Sequence, residues 1–268
     1  MFPRQLLLVH GKMNNMNNLL FEVSSVYFKI FYLDNNNVVN YWSIDIRDKS
    51  DVQKREIVND FIVREGITLL DYSNSLVLWS NNQSVLVPSN LFEESSTESI
   101  LNLNFGENYS KNTSDFNRIP LLNSVCVYSI PTWIKSLFVL KFSGTKIIHA
   151  STAWMNYLLN KNSTGKLIGL IVLDSEILTF TTFFDDKPLL YIQTRYQEME
   201  DVIYHVSYSI QQIGKSHSEG NIEIFDLMGG NLDFSNSLIE KMNKLELLSN
   251  IKLTVHEKVD QVAMKLCV

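Results

Sequence analysis

The chain has 268 residues, 45% apolar and 19% charged, a globular composition with enough length to bury one large core or two ordinary ones. Its net charge of −6, with Lys and Arg scattered singly, excludes a nucleic-acid backbone as the main partner, because phosphate binding needs a cationic surface. Cys126 and Cys267 form no metal-ligand spacing, no window reaches the apolar length of a membrane span, and the apolar run in MFPRQLLLVHGK is too short for a signal peptide; a cytoplasmic protein is expected.

Residues 1–18 read as a loose polar arm. LLFEVSSVYFKIFYL, from Leu19, has the β-branched and aromatic content of strand, Asp34 to Asn37 makes a turn, and VVNYWSIDI returns as the partner. A helix follows. Ser50 with Gln53 has capping-box spacing, Gly66 is its stop, and Ile57, Phe61 and either Val58 or Ile62 form its buried face. SLVLWS and SVLVP are short strands predicted to join through the two-residue turn Asn81-Asn82. Asn90 with Glu93 and Ser95 with Glu98 are rival caps for a helix ending near Phe105, and residues 106–118 read as loop. LLNSVCVYSI is a strand with Cys126 in its core, Pro131 opens a helix, and HASTAWMNYLLNK is the next helix, with His149 packed at its start.

KNSTGK, residues 161–166, is the linker, and after it the pattern restarts. LIGLIVLD, ILTFTTFF and PLLYIQ give three strands, the last two joined through Asp185-Asp186-Lys187. Residues 199–213 form the best helix, with Val202, Ile203, Val206, Ile210 and Ile213 on one face and Gly214 as its stop. NIEIFDLM is a strand, GGN a turn, Ser235 the cap of a last helix running to about Leu248, and IKLTV a final strand. Placing Glu22 over Asp174 aligns FEVSSVYFKIFYLD with LDSEILTFTTFFDD, each a strand ending in a carboxylate, a polar break, a second strand and an acidic turn. A duplicated α/β unit follows, divided as a first lobe over 19–160 and a second over 161–268.

The tandem β-β-β-α unit with carboxylates at both first hairpins resembles the actin-like ATPase superfamily. SVLVPSNLFEE, VYSIPTWIKSLF, IIHASTAWMNYLL and the run from Ile168 to Gly229-Gly230 resemble, more closely, a bacterial family known as domain of unknown function 3822. The resemblance implies a duplicated actin-like, ribonuclease H-like fold of two lobes, each a mixed β-sheet with flanking helices. It also implies a nucleotide site built from an Asp-Gly turn in each hairpin and a Gly-Gly turn near adenosine. Here the hairpins read Glu22-Val23-Ser24-Ser25 and Asp174-Ser175-Glu176, so the carboxylates persist and the phosphate-side glycines do not. Glu176 adds negative charge where a nucleotide already carries several. Only IEIFDLMGGN, with Asp226, Gly229 and Gly230, keeps the third piece.

The candidate vestigial nucleotide site is therefore Glu22, Ser24, Asp174, Asp226, Gly229 and Gly230, with no catalytic residue and no metal ligand. STGK of residues 163–166 lacks the upstream glycine of a phosphate loop and has Leu167 where a metal-binding hydroxyl belongs. The expected function is a non-catalytic protein-interaction or scaffold role on a degenerate actin-like fold. It would use no cofactor and an unidentified protein partner, and homo-oligomerisation is compatible with it. The alternative is an ATPase that binds ATP with Mg²⁺ through Glu22, Asp174 and the Gly229-Gly230 turn.

Overall fold

The computed structural model describes residues 17–34, 37–106, 108–161, 163–174, 176–227 and 232–256. Its frame is two five-stranded sheets of the same design. The first is built from β1 (Asn17–Val23), β2 (Tyr27–Asp34), β3 (Asn37–Asp45), β4 (Asn74–Trp79) and β8 (Lys146–His149), in the order β3-β2-β1-β4-β8. The second is built from β9 (Leu167–Asp174), β10 (Ile177–Phe184), β11 (Lys187–Arg195), β12 (Gly220–Asp226) and β13 (Ile251–His256), in the order β11-β10-β9-β12-β13. In each, the first three strands form an antiparallel meander and the last two add parallel to the central strand. The predicted duplication of strand order is present, with β1 and β9 central.

β1 from Leu19 and β9 along its whole length are buried, as a strand covered on both faces requires. On β9 the two faces go to different partners. Ile168, Leu170 and Val172 join the larger core together with Trp154, Met155 and Leu158 of α4 (Ala150–Leu159). Leu167, Ile171 and Leu173 face the second core, packed by Val202, Val206 and Ile210 of α5 (Met199–Gln212) and by Leu238 and Met242 of α6 (Leu232–Asn243). α4 thus packs first-lobe residues against the second sheet. On the first sheet, α1 (Asp51–Arg64) carries the predicted Ser50–Gln53 capping box and buries Val58, Phe61 and Ile62. The turn after β10 places Asp185 and Asp186 at φ of 51° and 59°, the left-handed region that Asp tolerates.

Several expectations are corrected. Residues 114–119, read as loop, form the strand β6 (Ser114–Ile119), and a three-stranded sheet β5-β7-β6 stands between β4 and β8 in the chain. Its other strands are β5 (Ser84–Pro88) and β7 (Ser124–Ser129); α2 (Thr97–Phe105) covers it through Leu101, which packs with Val125 and Val127. β4 and β5 therefore belong to different sheets, and Asn81-Asn82 is not a hairpin turn. Neither rival cap serves α2. A short 3-10 turn precedes it, in which Ser96 Oγ and Thr97 Oγ1 donate to the Glu93 and Glu94 carbonyls. Ser235 lies inside α6 rather than at its start, and the helix stops at Asn243 before a separate 3-10 turn at Glu246–Leu248.

Candidate functional site

The two hairpins that the sequence singles out meet at the junction of the sheets. In the first, the Ser24 N–H donates to the Tyr27 carbonyl at 3.0 Å, closing a two-residue turn at Ser25-Val26. In the second, Asp174 pairs with Ile177 across Ser175-Glu176, of which Ser175 lies outside the described residues. Ser24, not Glu22, is thus the positional counterpart of Asp174. A second pair of bonds gives the same frame: Ser80 N donates to Val23 O and Leu227 N to Leu173 O, each at 2.9 Å. Aligning carboxylate on carboxylate shifts the repeat by two residues, because register is set by turn geometry rather than by residue type. Glu22 sits within the strand, opposite Lys29.

The Asp174 carboxylate is turned toward the first lobe. Its Oδ2 accepts from Tyr27 OH at 3.2 Å and from Ser80 Oγ at 2.8 Å. Its Oδ1 is buried without a hydrogen-bond partner among the described residues. Burial pushes this carboxyl above the usual range, while the Ser80 hydrogen bond, the Lys29 charge and the Tyr27 hydroxyl pull it down and Asp226 raises it further. Burial also raises the Tyr27 phenol, with the Asp174 and Glu22 charges adding to it, so Tyr27 stays protonated and donates. A mirrored reach comes from β2. Lys29 Nζ donates to the Leu227 carbonyl at 2.5 Å, stands 4.0 Å from Glu22 Oε2 and lies 4.2 Å over the Tyr27 ring.

Below this clasp runs a buried polar seam. Ser84 Oγ lies 2.8 Å from both Tyr191 OH and Gln193 Oε1, and Ser151 Oγ lies 2.5 Å from the same tyrosine oxygen. Gln193 Nε2 donates to the Asn81 carbonyl at 3.2 Å. His149 Nδ1 accepts from the Ser151 N–H at 3.2 Å, so its Nε2 carries the proton and donates to Asn81 Oδ1 at 3.0 Å. Burial drives the His149 imidazole down to about 3, against the Asn81 bond that raises it.

Of the sequence candidates, the structure brings Ser24, Asp174 and Asp226 to the strand ends at the junction, with Glu22 one step back along β1. Gly229 and Gly230 lie outside the described residues. Sequence reasoning missed Tyr27, Lys29 and Ser80. One signal was available: Lys29 is the only cation in the otherwise apolar strand YFKIFYLD.

Magnesium requires near-octahedral oxygen ligation at about 2.0–2.1 Å and retains several waters. One carboxylate oxygen of Asp174 is taken by two hydroxyls, its ionised form is disfavoured, and the Lys29 ammonium is held by a carbonyl. No group of three or more His, Cys, Asp or Glu among the described residues could hold a metal ion. No helix among them is long and apolar enough to cross a membrane.

Comparison with known proteins places this geometry. A Bacteroides thetaiotaomicron protein with an actin-like ATPase fold and unknown function superposes with a TM-score of 0.74 at 15% identity, covering 94% of this chain and 95% of its own. The PilM–PilN type IV pilus biogenesis complex contains a chain matching at TM-score 0.54 and 10% identity, with 94% and 95% covered. The fold is therefore the actin-like ATPase fold, with two mixed sheets and flanking helices. No curated protein matches the sequence. A family model described as "Protein of unknown function (DUF3822)" matches residues 9–245.

Proposed function

The chain belongs to the DUF3822 family, and from that membership and the geometry of the junction we propose a non-catalytic protein on a degenerate actin-like fold, acting by binding another protein. One observation carries the reading: Asp174, the carboxylate at the second hairpin, spends Oδ2 on Tyr27 and Ser80 of the other lobe. A nucleotide that needed this oxygen would have to displace the Tyr27 and Ser80 hydroxyls, each hydrogen bond worth roughly 0.5–1.5 kcal/mol. The Lys29–Leu227 bond adds a second contact of the same kind from the opposite direction. Contacts across the junction from both lobes favour a fixed arrangement, which suits a surface that presents contacts rather than a cleft that opens and closes on a ligand. The pilus-biogenesis neighbour is itself a complex of PilM with PilN, and this supports protein binding as a use for the fold.

The alternative, a nucleotide-binding ATPase, draws on Asp174 and Asp226, which end neighbouring strands and lie close enough for Asp226 to raise Asp174. A thermal-shift titration with Mg-ATP separates the two. A ligand at about 100 times its dissociation constant stabilises the native state by roughly 2.7 kcal/mol. The proposal predicts no shift up to millimolar Mg-ATP, and a saturable rise in melting temperature would replace it with the ATPase reading. Affinity capture from the source cell, followed by reconstitution with the recovered protein, tests the interaction half; failure to reconstitute a complex refutes it.

A further inference from the structure

Beside the clasp, on the first-lobe side, lies an open cleft of about 440 Å³. Its floor and walls include Trp79, Trp133, Ile130 and Pro131, and Ile177 reaches it from the second lobe. Its rim carries Ser25, Asn82, Lys54 and Arg195. Its volume falls within the roughly 300–1,000 Å³ usual for a small-molecule site. Of the described nucleotide-site candidates Ser24 lines the cleft, and Glu22, Asp174 and Asp226 do not.

We propose that this cleft binds a small organic acid, its carboxylate held by Lys54 and Arg195 and its apolar body lying against Pro131 and Ile177. Three observations select this chemistry. The charged residues lining the cleft are Lys54, Arg195 and Asp51, a balance of one positive charge, which matches a monoanion and leaves a triphosphate uncompensated. Arg195 is exposed and makes no ion pair among the described residues, so its planar fork is available for a carboxylate, the geometry it recognises best. Lys54 Nζ is steadied by the Ser25 carbonyl at 2.8 Å, which fixes the ammonium at the rim while using one of its three donors. The two cations come from different lobes, Lys54 from α1 and Arg195 from the end of β11, so one ligand would bridge the junction. Trp79 and Trp133 are buried beneath the cleft, with the Trp79 N–H committed to the Ser129 carbonyl at 2.7 Å, and the half-buried Pro131 and Ile177 offer its accessible apolar surface.

The test is a panel of acetate, succinate, benzoate, phenylacetate and indole-3-acetate, with benzamide and phenylacetamide as uncharged partners. Binding is read by ligand-observed NMR and thermal shift on the full chain. Saturable binding of at least one aryl carboxylate is expected, with its amide at least tenfold weaker. The double variant Lys54→Ala/Arg195→Ala should lose at least about tenfold in affinity, consistent with loss of charge-assisted hydrogen bonds. Asn82→Asp, which adds a negative charge at the rim without removing a packed group, should weaken the same acid and provides the test if the double variant misfolds. The proposal is overturned if no acid of the panel binds, if the amides bind as well as the acids, or if binding survives both variants unchanged.

Discussion

His149 links the stability of the two-lobed body to pH in a way that can be measured against a single variant. The imidazole is fully buried, held neutral at about 3 rather than its ordinary 6.5, and joined to Ser151 N–H and Asn81 Oδ1. In the unfolded chain it binds a proton below about pH 6.5, whereas in the native state it stays neutral, so the unfolded state gains protons first and stability falls as pH drops through this window. Each pH unit is worth about 1.36 kcal/mol, giving roughly 3 kcal/mol lost to this group by pH 4.5 and about 4 kcal/mol by pH 3, where the folded group begins to protonate as well. His149→Asn keeps an oxygen to cap α4 but gives up the ring packing against Tyr128 and the reach to Asn81. That truncation should cost about 1–3 kcal/mol at pH 7, independent of pH. Urea unfolding followed by circular dichroism at pH 7, 6, 5 and 4.5 should therefore show wild type more stable at neutral pH, with the two curves converging and crossing near pH 5. Parallel curves, with the same difference at every pH, would refute the neutral buried histidine.

Asp174 titrates with the opposite sign. Its folded pKa is raised, so its contribution to stability is present at low pH and is lost as pH rises through the folded value. Asp174→Asn, whose Oδ1 can accept from both Tyr27 and Ser80, should therefore fold normally and equal or exceed wild type at pH 7, with the margin vanishing in acid; a variant clearly less stable at pH 7 would show that the ionised carboxylate stabilises the junction. Gly220 begins β12 so close to β9 that an added Cβ would stand 2.2 Å from the Leu167 carbonyl oxygen. Gly220→Ala should lower stability by about 1–3 kcal/mol in chemical denaturation, and a neutral result would mean that β9 and β12 are not paired in this register.

The elements that the sequence announces clearly are those whose own residues determine them. β9 is apolar along nearly its whole length, β1 and β10 are rich in apolar, aromatic and β-branched residues, α1 carries both halves of its capping box, and α5 keeps its apolar stripe, with Val202, Val206 and Ile210 buried. What escapes is set by neighbours. SDFNRI of β6 has no strand-like alternation and is a strand only because β7 pairs with it, and KIIH of β8 is too short to stand apart from the helix it precedes. Asn81 looks like a turn residue but bonds Ser129 and His149, contacts 48 and 68 residues distant in sequence. The candidate site follows the same division. Asp174 is legible as the acidic end of an apolar strand, yet its partners Tyr27 and Ser80 are fixed only when the lobes meet, 147 and 94 residues away along the chain. Ser24 as its counterpart depends on register, which no pairing of like residues could supply.

The central claim is that the Asp174 clasp takes the place of a nucleotide. Isothermal titration of Mg-ATP into the wild-type chain and into Asp174→Asn tests it most directly. The account predicts no saturable heat from either protein at millimolar nucleotide. Micromolar binding by the wild type, abolished by Asp174→Asn, would contradict it.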